Sequence, residues 1–176
     1  MKNETHMMID LETLDTKASA VVLSAGVAVF TKDAVLDKRH LLLDVDKQLK
    51  SGRTVSFSTL CWWMRQSYVA KGGVFNSGCA DMKELRWLII MLNDVFEMHG
   101  CKYVWSHGAS FDIPILENIE EQVEISLPWA FWNVRDTRTF FDTLPNSKTS
   151  RQGVYHNALD DAVHQAGCVM KGLREL

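Results

Sequence analysis

The sequence predicts an α/β domain: a mixed five-stranded sheet with helices on both faces. Three observations point there. Residues 7–45 hold three strand-like apolar runs joined by short links. Beyond residue 58, helical and strand-like patterns alternate, and residues 157–173 form a long amphipathic pattern. Strands first, then alternating helix and strand, is the signature of a mixed sheet covered on both sides.

Taken in order, residues 7–11 form a short apolar run that reads as a buried strand, 20–30 a second and 40–45 a third. Thr31, Lys32 and Asp33 supply a turn, so the three make an antiparallel meander. Residues 58–67 read as a helix capped by Ser58 or Thr59. Residues 81–98 form a longer amphipathic helix, with Leu85, Leu88, Ile89, Leu92 and Phe96 at helical spacing and His99-Gly100 ending it. A fourth strand is expected at 101–105, a helix at 112–121, a fifth strand at 134–140, and a loop at 142–153. In the last helix Leu159, Ala162, Val163, Ala166, Val169, Met170 and Leu173 share one apolar face. Asn157 suits its N-cap, and Asp160, three residues on, mimics the acid of a capping box.

A chain of 176 residues, 47% hydrophobic and 23% charged, fits one compact domain spanning 1–176 with a substantial core. No apolar run is long enough to span a bilayer, and the residues before Met7 lack the apolar stretch of a signal peptide. Cys61, Cys79, Cys101 and Cys168 form no CxxC pair, so a zinc knuckle is not expected. They read as reduced thiols of a cytoplasmic protein. A net charge of −3 argues against broad binding to nucleic acid, but not against a small site where cations supply the positive charge.

Acids mark three places. In Ile9-Asp10-Leu11-Glu12-Thr13, residues two apart in a strand share a side, so Asp10 and Glu12 project together from an apolar run. They either hold a cation or sit at a strand end fraying into water. Asp112 follows a strand and a small-residue turn, 106–110, where it either joins that site or favours a helix dipole. Asp161 lies five residues after His156, and both can face one point from the start of the last helix. Asp160 reads as a capping acid.

Trp62 and Trp63 point about 100° apart on a helix, so one belongs to the core while the other is free to stack on a base. Arg138, with Arg135, flanks Asp136 and either contacts phosphate or pairs with that acid. Lys148 and Arg151 grip a nucleic-acid backbone or simply ride a solvated loop. His6, His40, His99 and His164 carry no partner pattern.

Together, Asp10-x-Glu12, Asp112 after a strand, and HxAxxDA from His156 to Ala162 resemble the DEDD 3′–5′ exonucleases, in the DEDDh subgroup with a histidine in the third motif. A narrower resemblance links the chain to phage exonuclease A and small bacterial and phage exoribonuclease-like proteins. It rests on Ile9 to Leu14, the Trp62-Trp63 pair, Gly108 to Leu116 and Phe131 to Thr139. His107 departs from it, since a small amide is expected there.

The resemblance implies a ribonuclease H-like fold and removal of nucleotides from 3′ ends of single-stranded DNA or RNA. It implies two cations, Mg²⁺ or Mn²⁺, held by Asp10, Glu12, Asp112 and Asp161, with His156 as general base. Carboxylate oxygens suit those ions. It leaves the sugar open, and it admits a homodimer, since related enzymes are often dimers. The rival from another class is an inactive nucleic-acid-binding module on the same fold. Such a relative should lack a ligand, whereas all four acids and the histidine are present.

Overall fold

The computed structural model describes residues 4–75 and 82–176. Five strands, β1 (His6–Thr13), β2 (Val22–Phe30), β3 (Val35–Leu42), β4 (Tyr103–Ser106) and β5 (Val134–Asp136), lie in the order β3-β2-β1-β4-β5. β1, β2 and β3 pair antiparallel, whereas β4 runs parallel to β1 and to β5. The helices are α1 (Val45–Lys50), α2 (Phe57–Met64), α3 (Tyr68–Phe75), α4 (Leu85–Met98), α5 (Ala109–Val123), α6 (Thr137–Thr143) and α7 (Ala158–Glu175). Short 3₁₀ turns occupy Phe131–Asn133 and Pro145–Ser147. No helix among the described residues is long and apolar enough to cross a membrane.

Strand periodicity divides the core. Met7, Ile9 and Leu11 point to one face and pack with Leu88, Ile89 and Leu92 of α4 and Leu116 and Ile119 of α5. Met8 points to the other face with Ala28, Phe30 and Trp105, where Ala162, Ala166, Val169 and Leu173 of α7 cover it. Asp10 and Glu12 share the period of Met8, so they lie on the α7 side. A third cluster, Leu14, Val21, Leu23, Trp63 and Val74, anchors α2 and α3 beside the end of β1.

α7 reaches the sheet closely because β2 carries Gly26 opposite Asp10. A Cβ there would lie 2.1 Å from the backbone carbonyl of Ala158. The Arg53 guanidinium, buried without a carboxylate partner among the described residues, donates to the carbonyls of Ala18 and Ala20 and to Asn118 and Gln122. It ties the β1–β2 connection to α5. Burial lowers its pKa to about 10.

The meander, the 31–33 turn and the Asn157 cap match expectation, and Asn157 accepts from the Asp160 N–H at 3.1 Å. Other elements are corrected. The third strand is Val35–Leu42, not 40–45, because an edge strand with exposed Asp37, Lys38 and Arg39 has no apolar run to betray it. Asp44 instead caps α1, accepting from the Lys47 N–H. α2 begins at Phe57 after Ser56, whose hydroxyl bonds that of Ser58 rather than a helix N–H. The strand expected at 134–140 stops at Asp136. That carboxylate accepts from the Thr139 N–H at 2.9 Å and starts α6, which takes the first residues of the expected 142–153 loop. α5 begins at Ala109, ahead of the expected 112. The short helices α1 and α3 were not foreseen. Of the expected 81–98 helix, Leu85–Met98 is present, and residue 81 lies outside the described residues, as does Cys79.

Candidate active site

A cleft of about 830 Å³ opens at the carboxyl ends of the parallel strands β1 and β4. Such edges are where open α/β sheets place ligands. Asp10, Glu12, Asp112, His156 and Asp161 all line it. Glu12, His156 and Asp161 converge, with one ligand-type atom of each within 4.8 Å of the other two. Asp10 and Glu12 come from β1, and Asp112 from the first turn of α5. Its Oδ1 accepts the Leu11 N–H at 3.1 Å, which pins α5 to the strand carrying the other two acids. Asp161 stands in the first turn of α7, accepting the His156 N–H at 3.0 Å.

His156 has a left-handed backbone, φ +62°. That conformation costs a non-glycine residue about 1–3 kcal/mol, and the bond to Asp161 helps hold it. The imidazole faces the cleft edge-on to Trp62, 4.7 Å between ring centroids. Asp160 braces the loop instead, accepting the Val154 N–H at 2.8 Å.

The electrostatics are lopsided. Burial pushes Asp10 well above the usual carboxylate range, and the charges of Asp112, Glu12 and Asp161 push the same way. Burial raises Glu12 to about 8, helped by Asp161 and Asp112. Burial also raises Asp112 to about 7, against the opposing Leu11 N–H and Ser106 hydroxyl. Two guanidiniums answer them: Arg151 pairs with Asp161, draws Glu12 downward and stacks on Tyr155 at 4.4 Å, and the charge of Arg138 draws Asp112 downward. The two guanidiniums do not bring Asp10, Glu12 and Asp112 back into the usual carboxylate range. Four hard oxygen ligands in that field fit divalent cations of the Mg²⁺ or Mn²⁺ kind.

The tryptophans separate cleanly. Trp63 is 2% exposed and donates its indole N–H to the Thr13 carbonyl at 2.8 Å, fixing the strand end beside Glu12. Trp62 is 40% exposed and lines the cleft. Arg138 also lines it, near the His107 carbonyl. Gly108 at φ +100° keeps that approach open, since a Cβ there would meet the Arg138 Nε at 3.2 Å. Arg135 lies outside the cleft lining, stacked on Tyr103 at 4.3 Å. Asp136 pairs with neither arginine. Its pKa falls despite burial because the Thr139 and Ala109 N–H groups bond it. Lys148 and Arg151 both reach the cleft.

Other residues escaped sequence reasoning. His164, given no role, lines the cleft, and so does His107, whose Nδ1 bonds the Thr137 hydroxyl at 2.8 Å. Gln165 donates its Nε2–H to Asp10 Oδ1 at 2.9 Å. Its position on α7, four residues after Asp161, was the one available signal.

Known proteins share the fold. The nuclease domain of 3′hExo, a DEDDh family member bound to rAMP, superposes with a TM-score of 0.63 at 12% identity, over 98% of this chain and 93% of that one. E. coli exonuclease I in complex with a 5cy-dT13 oligonucleotide gives 0.65 at 12% identity, over 98% of this chain but 41% of that longer one. A protein of Enterobacteria phage T4, described as an exodeoxyribonuclease, is 28% identical over 78% of this chain and 70% of its own length. Fold and relatives together define a 3′–5′ exonuclease on the ribonuclease H-like fold of the DEDDh enzymes. Residues 5–173 match the 3′–5′ exoribonuclease Rv2179c-like domain, and the chain belongs to that family.

Proposed function

We propose that the chain removes nucleotides singly from the 3′ end of single-stranded DNA or RNA, releasing nucleoside 5′-monophosphates. The observation that carries this reading is that four carboxylates, three of them raised by burial, line one cleft, where Glu12 and Asp161 converge with His156. Asp10, Glu12, Asp112 and Asp161 would hold two Mg²⁺ or Mn²⁺ ions. When bound, such ions offset phosphate charge and make water more acidic.

The chain's own groups do the rest. Trp62 offers a face to the terminal base. Arg138 and Lys148, on the cleft wall, attract phosphates. His156 accepts the proton of the attacking water as its oxygen bonds the phosphorus. The bond from phosphorus to the 3′ oxygen of the preceding nucleotide breaks, and that oxygen takes up a proton. A shortened strand ending in a 3′-hydroxyl and one 5′-monophosphate leave.

The family description names a ribonuclease and the phage relative a deoxyribonuclease, so both sugars belong in the test. DNA and RNA oligonucleotides labelled at the 5′ end are incubated with Mg²⁺, Mn²⁺ or chelator. The expected result is a ladder shortening from the 3′ end that needs metal, stops at a 3′-phosphate, and disappears in Asp10→Ala. Full activity in chelator, or in folded Asp10→Ala, would overturn the reading.

A further inference from the structure

Gln165 is only 8% exposed, on a helix face that otherwise buries Ala162, Ala166 and Val169. Its Nε2 holds Asp10 Oδ1 at 2.9 Å. Its Oε1 is buried in the cleft wall and accepts no hydrogen bond among the described residues. A buried acceptor left alone is destabilising, because it gives up its bonds to water and gains none. If packing were its only purpose, a leucine or methionine would fill the position without that cost. The amide therefore acts toward the cleft, with one end on the central acid and the other, unpartnered, in the cleft wall.

We propose that Gln165 is a positioning residue of the cation site. Nε2 fixes the rotation of Asp10 and so selects the oxygen presented to the ions. Oε1 accepts a hydrogen bond from their hydration shell. The chemistry of the side chain fits both tasks. A glutamate would set acceptor against acceptor and add another acid beside three that burial already raises, and an apolar side chain would let Asp10 turn. The proposal rests on the cation binding proposed above.

The test is titration of Mn²⁺ into metal-free protein without nucleic acid, read by calorimetry, for the parent, Gln165→Leu and Gln165→Met. Losing a partner that orients a metal ligand typically weakens affinity about 10–100-fold, and that loss is expected in both variants. The metal-free Tm should stay close to the parent's, because the lost hydrogen bond is offset by removal of an orphaned oxygen. Turnover should recover as Mn²⁺ is raised, with the oligonucleotide KM unchanged at saturating metal. Unchanged Mn²⁺ affinity in the variants overturns the role of Gln165 while leaving the cation site standing. A large fall in metal-free Tm in both makes Gln165 a packing element and also overturns it. A parent that binds no Mn²⁺ overturns the proposed function itself.

Discussion

Trp62 and Trp63 are adjacent in sequence, yet about 100° of helix turn sends one to the cleft and the other to the core. The two substitutions should therefore fail differently. Trp62→Ala should weaken binding of a single-stranded oligonucleotide by about 1–3 kcal/mol, the usual worth of a base–aromatic stack, with little change in urea stability. Trp63→Ala should lose about 3–5 kcal/mol of stability, because it empties a core site and frees the Thr13 carbonyl. Unchanged oligonucleotide affinity in folded Trp62→Ala would remove the stack. His156 presents a related choice, since its ring lies among the acids while Mg²⁺ and Mn²⁺ prefer oxygen. As a general base, it should cost about 10²–10⁴-fold in turnover when replaced by alanine and leave Mn²⁺ affinity nearly intact. Loss of Mn²⁺ binding in that variant would recast it as a ligand.

At the scale of elements, the site depends on how closely α7 crosses the sheet. Gly26 makes room for the Ala158 backbone beside Asp10, so Gly26→Ala must push the first turn of α7 outward and carry His156 and Asp161 away from Glu12. At least the about 1–3 kcal/mol typical of overpacking should be lost, and Mn²⁺ affinity should fall with it. Thermal denaturation and Mn²⁺ titration check both, and a variant matching the parent in each would show that the contact relaxes freely. Strand β1 and helix α7 were legible in the sequence because strong periodicity marks them. That the four acids and His156 share one cleft was legible because they stand near a strand end and at two helix starts, where charge among apolar residues stands out. Strand β3 was misplaced because an edge strand can be polar on both sides. Helix α6 falls across the expected 134–140 strand and the loop after it, because seven residues are too few to show a helical period and only the Asp136 cap marks its start. Gly26 and Gln165 carry their meaning in contacts with residues 132 and 155 positions away, and no local pattern announces such contacts.

Across the whole molecule, the acid cleft couples stability to pH and to metal. Burial and mutual repulsion raise Asp10, lift Glu12 to about 8 and lift Asp112 to about 7. Unfolded, these groups titrate near pH ~4. Between those limits the folded chain binds more protons than the unfolded one, so metal-free stability must fall as pH rises. The fall begins above the unfolded values and levels off once the folded groups have ionised. His40, His107 and His164 oppose it at the acid end. Burial lowers their pKa, so they add stability as pH rises toward about 6.5, their ordinary value. The carboxylate effect therefore reads most clearly from about pH 6.5 to 8. Cations bind ionised acids, so Mn²⁺ should reverse the loss, and the Tm gained on adding it should be larger at pH 8 than at pH 6.5. Asp10→Asn should flatten the metal-free slope and shrink the Mn²⁺ gain, because it removes one of the raised acids and a proposed ligand together. Differential scanning calorimetry on the parent and this variant, with Mn²⁺ and with chelator at both pH values, checks the coupling. A metal-free Tm that rises from pH 6.5 to 8 would mean that the acids are compensated within the protein, and the argument for cations in the cleft would lose its electrostatic basis.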